Sequence, residues 1–296
     1  MIRLNDSGLV TGAHRRHFDV ELPDGASVLC AVKGRSLAPA CGDIIEFVRQ
    51  NEREGIITGI RPRHSELTRE DAHRQKTIAA NVSLVLGVVA VEPAFNPELI
   101  DRWTVASEAA GCRFVLVLNK TDLVGADTVR ASLERYAGLG YTLVAMSAKQ
   151  GIDTLRPLLA GERSVLVGQS GMGKSTMINA LLGTARVKTG EISTSLNAGR
   201  HTTTQTRLYR LGRSEWIIDS PGMKEFGVHQ LRVGADGLLG LEHAFVEFRP
   251  YLGQCKFRDC THEHEPQCAI RAAVATGTID PSRLETYYRL RKEIAS

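Results

Sequence analysis

The 296-residue sequence has no apolar stretch near the roughly 20 residues that a membrane-spanning helix needs. Its opening, Met1-Ile2-Arg3-Leu4-Asn5-Asp6, carries no apolar signal segment. A reducing, cytoplasmic setting with no membrane partner is therefore expected. There is no internal repeat and no low-complexity segment, so solenoid and biased-composition classes are set aside. An excess of one charge sign is also lacking: 37 basic against 33 acidic residues give a formal net charge of +4, too small to establish nucleic-acid binding. Basic residues do gather at Arg61-Pro62-Arg63-His64, Arg69 to Lys76 and Arg283 to Lys292, runs that usually form solvated faces. The length suggests two or three domains, and 43% hydrophobic residues are enough for buried cores.

What is present divides the chain into three parts. Up to about residue 65, short runs rich in β-branched residues (Phe18 to Leu22, Ser27 to Val32, Asp43 to Val48, Gly55 to Ile60) alternate with turns such as Pro23-Asp24-Gly25. This pattern predicts a small antiparallel β barrel, with an oligonucleotide-binding barrel of five strands as the natural form. Thr68 to Asn81 reads as a polar connector. Val82 to Val91 reads as a fully buried strand, and Pro97 to Ala110 as a helix with Leu99, Trp103, Ala106 and Ala110 on one face. Alternation of strands and helices to about Gly222 predicts a mostly parallel sheet covered on both faces. Beyond Gly227 the strand pattern stops, and Leu238 to Phe248, Ala269 to Ala275 and Ser282 to Ile294 read as helices. The expected fold class is multidomain α/β, with domains over 1–67 (barrel), 68–226 (α/β core) and 227–296 (helical).

Chemistry first becomes explicit at Gly168-Gln169-Ser170-Gly171-Met172-Gly173-Lys174-Ser175, between the apolar run Ser164 to Val167 and the helix-forming run Thr176 to Leu182. Glycines there let successive amides close around phosphate oxygens at the positive end of a helix. Lys174 would reach the β- and γ-phosphates, and Ser175 would place its hydroxyl on Mg²⁺. Asn119-Lys120-Thr121-Asp122 follows the buried run Phe114 to Leu118, so it sits at the carboxyl end of a strand. The Asp122 carboxylate would accept paired hydrogen bonds from guanine N1–H and its exocyclic amine, a pair adenine does not offer. Alone this motif is also consistent with a solvated turn; beside Ser147-Ala148-Lys149 and the phosphate loop it favours GTP over ATP. Asp219, after Trp216-Ile217-Ile218, would bind Mg²⁺ through water, and the Gly222 amide would sense the γ-phosphate. The candidate nucleotide-binding set is thus Asn119, Lys120, Asp122, Ser147, Ala148, Lys149, Gly168 through Thr176, Thr203, Asp219 and Gly222.

In the familiar order of such GTPases the phosphate loop comes first and the base-reading segments last. Here that order is reversed, so the core looks like a circularly permuted GTPase domain, with Gly151 to Arg163 as the new joint. Thr202, Thr203 and Thr204 supply the second switch, where a hydroxyl closes the Mg²⁺ shell while triphosphate is bound. Spacing does not separate the three, and they also suit ordinary turn chemistry; Thr203 is taken as the ligand. Met223 stands where Ras-like enzymes carry a water-orienting Gln. A thioether cannot orient water, which makes His201 the candidate catalytic residue and predicts slow intrinsic turnover that a partner accelerates. A surface histidine in a flexible loop is the alternative.

Cys255-x4-Cys260-x-His262-x5-Cys268 offers three thiolates and an imidazole within fourteen residues, the ligand types of a closed structural Zn²⁺ site. His264 is a spare candidate that reads better as solvated, and Cys30, Cys41 and Cys112 as small buried hydrophobes. The tail carries little apolar material, so metal binding is expected to supply much of its folding free energy.

Together, the permuted order, Gly199-Arg200-His201-Thr202-Thr203-Thr204, Asp219-Ser220-Pro221-Gly222 and the cysteine knuckle resemble the ribosome small-subunit-dependent GTPase family called RsgA or YjeQ, over nearly the whole chain. The resemblance implies an oligonucleotide-binding barrel, a permuted GTPase core and a C-terminal zinc domain. It further implies binding to the 30S ribosomal subunit and its rRNA in late maturation, subunit-stimulated hydrolysis of GTP to GDP, and the catalytic replacement of Gln by His201. The chain departs from the family at Val32-Lys33-Gly34-Arg35, where a more basic stretch is expected. A monomer is expected. A nucleotide-gated RNA-binding module with little turnover is the residual alternative; a stand-alone metabolic NTPase would need a further acid/base cluster, and none stands out.

Overall fold

The computed structural model describes residues 6–14, 16–34, 37–71, 74–189, 206–219 and 240–295. The first five strands, β1 (Asp6–His14), β2 (His17–Glu21), β3 (Ser27–Val32), β4 (Ile44–Arg49) and β5 (Glu54–Ile60), pair in the order β1-β2-β3-β5-β4 and close through β1 against β4. Only β3 and β5 run parallel. Inward positions alternate as period-2 patterning requires, so Val10, Phe18, Val20, Val28, Cys30, Ile45, Phe47 and Ile57 fill one core. β1 is a stave that turn signals alone did not reveal.

The segment expected as a polar connector is instead a hairpin, β6 (Glu66–Asp71) against β7 (Arg74–Ala80). Its base is buried at Leu67, Thr68, Ile78, Ala79 and Ala80, while the sequence between, from Arg69 to Lys76, is polar and carries no apolar alternation for a sequence reading to detect. Arg63 fastens this base to the barrel: its guanidinium donates to the fully buried Asp43 carboxylate at 2.8 and 2.7 Å and to Glu66 at 2.9 Å. One residue of a run expected to be a solvated face is thus a structural ion pair.

The α/β core follows as β8 (Leu84–Ala90), α1 (Pro97–Ala109), β9 (Arg113–Asn119), α2 (Ala126–Gly138), β10 (Thr142–Ala145), α3 (Arg156–Leu159), β11 (Arg163–Val167), α4 (Lys174–Thr189), β12 (Arg207–Arg210) and β13 (Trp216–Asp219). Its sheet runs β10-β9-β8-β11-β13-β12, parallel except for the last pair. Every residue of β8 is buried, with Val85 and Val89 facing one core and Leu84, Leu86 and Val88 the other. Such double burial explains the unbroken apolar run. β12 then pairs with β1, so the barrel and core form one continuous eleven-stranded sheet.

The last unit begins with two 3₁₀ turns, Leu241–Ala244 and Val246–Tyr251, rather than the expected α-helix. Phe245 is extended between them, and Pro250 brings no amide donor, which stops helical pairing from propagating. α5 (Ala269–Ala275) and α6 (Pro281–Ala295) match expectation. Phe245 stacks on Phe248 with centroids 4.8 Å apart, Tyr287 meets both rings edge-on at 5.7 and 5.5 Å, and the three join the same core as α1. No helix among the described residues is long and apolar enough to cross a membrane.

α1 carries the attachment of this unit. Glu98 pairs with Arg289, Arg102 with Glu293, and Glu108 with Arg249 at 2.6 Å. Between them Arg283, only 2% exposed, donates to Asp101 at 2.9 Å and Glu247 at 2.5 Å, while Thr286 and Tyr136 also donate to Asp101. Burial disfavours the guanidinium charge, but Glu247 and then Asp101 more than offset it and move its pKa up. Arg283→Met would leave two buried carboxylates without their cation. The expected loss is about 3–5 kcal/mol of stability in denaturant unfolding followed by the fluorescence of the buried Trp103; an unchanged midpoint would show that the network contributes nothing.

Candidate nucleotide and metal sites

The carboxyl ends of β8, β9, β10, β11 and β13 lie at one edge of the sheet, where open α/β folds bind ligands. After β11 the chain turns through Gly168 (φ +154°), Gly171 (φ +82°) and Gly173 (φ +91°) into α4. A methyl group at Gly168 would lie 2.4 Å from Val88 O, and one at Gly173 would lie 2.2 Å from Asn119 Nδ2. Neither position accepts a side chain. The Lys174 ammonium folds over the loop, donating to Gly168 O at 2.6 Å and Gln169 O at 2.7 Å.

Asn119 is 2% exposed and uses both ends of its amide: Nδ2 donates to Met172 O, and Oδ1 accepts from the Ala148 amide, each at 2.9 Å. The three motifs therefore meet at one side chain. Lys120, in a left-handed conformation (φ +62°), reaches across to donate to Glu92 O at 2.7 Å. The Ser147 hydroxyl is buried without a partner at full hydrogen-bonding geometry, yet it is the first cause that draws the exposed Asp122 carboxyl below its ordinary range, followed by the Asp122 amide, with Lys149 and Lys120 adding to it. A cavity of about 530 Å³ runs from Lys120, Asp122 and Lys149 to Gly173, Lys174, Ser175 and Thr176. At the end of β13 the Asp219 carboxyl is half-buried, and burial raises its pKa while the Lys174 ammonium counters that rise. A half-buried carboxylate at the carboxyl end of the strand next to β11 suits a nucleotide's Mg²⁺. His201, Thr202 to Thr204, Gly222 and Met223 lie outside the described residues.

Sequence reasoning missed the loop after β8. Besides Glu92, it supplies the Asn96 amide, which donates to Gln169 Oε1 at 2.9 Å, and Pro93, which packs beside Gly171. Asn96 also caps α1, accepting from the Glu98 amide at 3.0 Å. The available signal was its position at the carboxyl end of a buried strand followed by Asn-Pro.

In the last unit, the ligand atoms of Cys255, Cys260, His262 and Cys268 lie within 4.8 Å of one another. Cys255 Sγ is 3.9 Å from Cys268 Sγ and 3.6 Å from His262 Nδ1, which is 3.3 Å from Cys268 Sγ. Tetrahedral Zn–S bonds of about 2.3 Å require edges of about 3.8 Å, so the donor set fits that ion. Burial pushes the Cys260 thiol up to about 12, moves Cys268 upward and keeps His262 neutral. Crowded thiols of this kind ionise together only around a cation. Tyr288 of α6 orients the knuckle by donating to His262 O at 2.6 Å. His264 points away, its side chain 93% exposed. Cys30, Cys41 and Cys112 are free and buried, their thiols pushed by burial to about 11, 12 and 11.

Comparison with known proteins places this geometry. The family model described as RsgA GTPase matches residues 60–229. The small ribosomal subunit biogenesis GTPase RsgA of Nitrosomonas europaea is 43% identical over 290 residues, 97% of this chain and 91% of that protein. The protein of the same name from Nitrosospira multiformis is 44% identical over 284 residues, 96% of this chain and 89% of that one. Among solved structures, YjeQ from Thermotoga maritima superposes with a TM-score of 0.72 at 31% identity, covering 99% of both chains. YloQ, described as a circularly permuted GTPase, gives 0.70 at 25% identity over 99% of this chain and 96% of its own. With this match across the barrel, the core and the knuckle, the chain belongs to the RsgA GTPase family.

Proposed function

We propose that this chain is a GTP hydrolase that binds the 30S ribosomal subunit during its late maturation, turns over faster on it, and acts as a cytoplasmic monomer. The observation that carries this reading is the Asn119 amide, bonded at once to the phosphate loop and to the Ser147-Ala148-Lys149 loop. The names of the relatives, small ribosomal subunit biogenesis GTPases, support the ribosomal part.

In this reading Asp122 accepts from guanine N1–H and the exocyclic amine, with Ser147, Ala148 and Lys149 closing over the base. Lys174 exchanges its two loop carbonyls for β- and γ-phosphate oxygens, and the amides from Gly168 to Thr176 cradle the phosphates. Ser175 and Thr203 would hold Mg²⁺ and Asp219 would reach it through water; bound Mg²⁺ neutralises charge developing on the phosphates. Gly222 reads the γ-phosphate. His201 orients or deprotonates the attacking water in place of the missing Gln. The zinc ligands Cys255, Cys260, His262 and Cys268 leave no open coordination position, so the ion is structural. The barrel (1–67) and the knuckle unit (227–296) contact rRNA from either side of the GTPase unit (68–226).

Three outcomes test the reading. Turnover of GTP is expected to rise with purified 30S subunits and not with 50S subunits, to vanish in Lys174→Ala, and to fall about 100-fold or more in His201→Ala with 30S present; unaltered turnover in His201→Ala removes that residue from the chemistry. Asp122→Asn offers one donor and one acceptor where the carboxylate offers two acceptors. It should bind GTP about 10- to 100-fold more weakly in calorimetry and prefer xanthosine nucleotides. Cys268→Ser, or a strong chelator, should remove one equivalent of zinc by metal analysis and unfold the last unit first, seen as faster hydrogen exchange in α5 and α6 than in β8.

A further inference from the structure

Asp219 ends β13, which is held on one side by β11 and on the other by β12. β12 has only four residues and meets the barrel on its far side. The register puts Gly12 of β1 opposite Arg207, and Arg207 opposite Asp219, so one line of backbone pairs runs from the barrel to the nucleotide-site carboxylate. Two contacts pin the ends of β12 to the barrel: the Cys41 thiol donates to Thr206 O at 3.1 Å, and Arg210 forms an ion pair with Glu21 of β2. The Arg210 guanidinium also lies 4.1 Å over the ring of Trp216, its partner at the start of β13. Stacked there, the planar group is held in the orientation that receives the carboxylate. The knuckle unit, in contrast, is fastened to α1.

We propose that Arg210 is a positioning residue for the magnesium end of the nucleotide site, and that Glu21 is its anchor, so that the seating of the barrel sets the placement of Asp219. This rests on the reading of Asp219 as a nucleotide-site carboxylate. β12 has only four residues and shares a single register pair with β1, so its ladder to the barrel is weak by itself. Arg210 fixes its register by gripping both β13, through Trp216, and the barrel, through Glu21. Linkage makes the effect reciprocal: Mg²⁺–nucleotide binding at Asp219 tightens the joint between β1 and β12, and whatever binds the barrel alters nucleotide affinity.

The test uses the full chain and its Glu21→Gln, Arg210→Gln and doubly substituted forms. Affinity for a fluorescent GDP analogue is measured across a magnesium titration and in EDTA. Each single substitution is expected to raise the half-saturating magnesium concentration about two- to five-fold, with no further rise in the double variant, because both remove one interaction. Affinity in EDTA and the melting temperature should stay near those of the unaltered chain, which separates positioning from general damage. In hydrogen exchange on the unaltered chain, a non-hydrolysable GTP analogue with Mg²⁺ should slow the amides of Gly8–His14 as well as Arg207–Arg210, and Arg210→Gln should abolish the response in Gly8–His14 alone. Unchanged magnesium dependence in both single variants, additive effects, or exchange in Gly8–His14 that ignores nucleotide while Arg207–Arg210 responds would overturn the proposal. Failure of the unaltered chain to bind any guanine nucleotide would overturn the underlying reading instead.

Discussion

The nucleotide pocket depends on one buried carboxamide. Asn119 spends its donor on the phosphate loop and its acceptor on the amide before Lys149. Neither loop has an internal ladder to fix it, so their separation is the length of this side chain and its two hydrogen bonds. Removing it would leave a buried carbonyl and a buried amide without partners, a larger cost than the bonds themselves contribute. It also dictates sequence elsewhere, because the room its amide occupies is the room a side chain at Gly173 would need. The conformation of one motif and the composition of another are a single constraint, and the permuted chain order leaves it untouched because all the loops still leave the same edge of the sheet.

Local patterns made much of this visible beforehand. The doubly buried β8, the helix that starts at Pro97 and the glycine-punctuated loop before α4 each follow from periodicity and backbone permissiveness, which neighbours determine. The cysteine knuckle was legible because metal ligands are chemically rare and must be close. What escaped depended on distant partners. β6 and β7 present polar residues along most of their length, so nothing in their order distinguishes a hairpin from a linker. Arg63 and Arg283 looked like members of solvated basic runs, yet each is claimed by carboxylates far away in the sequence. The loop after β8 offers only its place after a buried strand and an Asn-Pro helix start; it matters because its backbone groups are within reach of Lys120 and Gln169.

The two accessory units are attached by different physics. The barrel joins through backbone pairing and a partly exposed ion pair, an arrangement whose strength varies with register. The knuckle unit joins through shared apolar core and a cation enclosed between two carboxylates, where an incorrect docking would bury charge without compensation. A seam of the second kind is selective for a single arrangement, whereas one of the first kind tolerates small rotations.

The span between Asp101 and Arg283, 182 residues, bears on how the protein is made. Domains generally acquire structure in the order of synthesis. When β8, α1 and β9 have emerged, Asp101 must remain hydrated, and the apolar face of α1 that Phe245 and Tyr287 eventually cover is open to water. A nascent core in that condition is incompletely sealed and exposed to aggregation until α6 arrives. Any holding factor or pause acting during translation would find its most useful moment just before that helix is released.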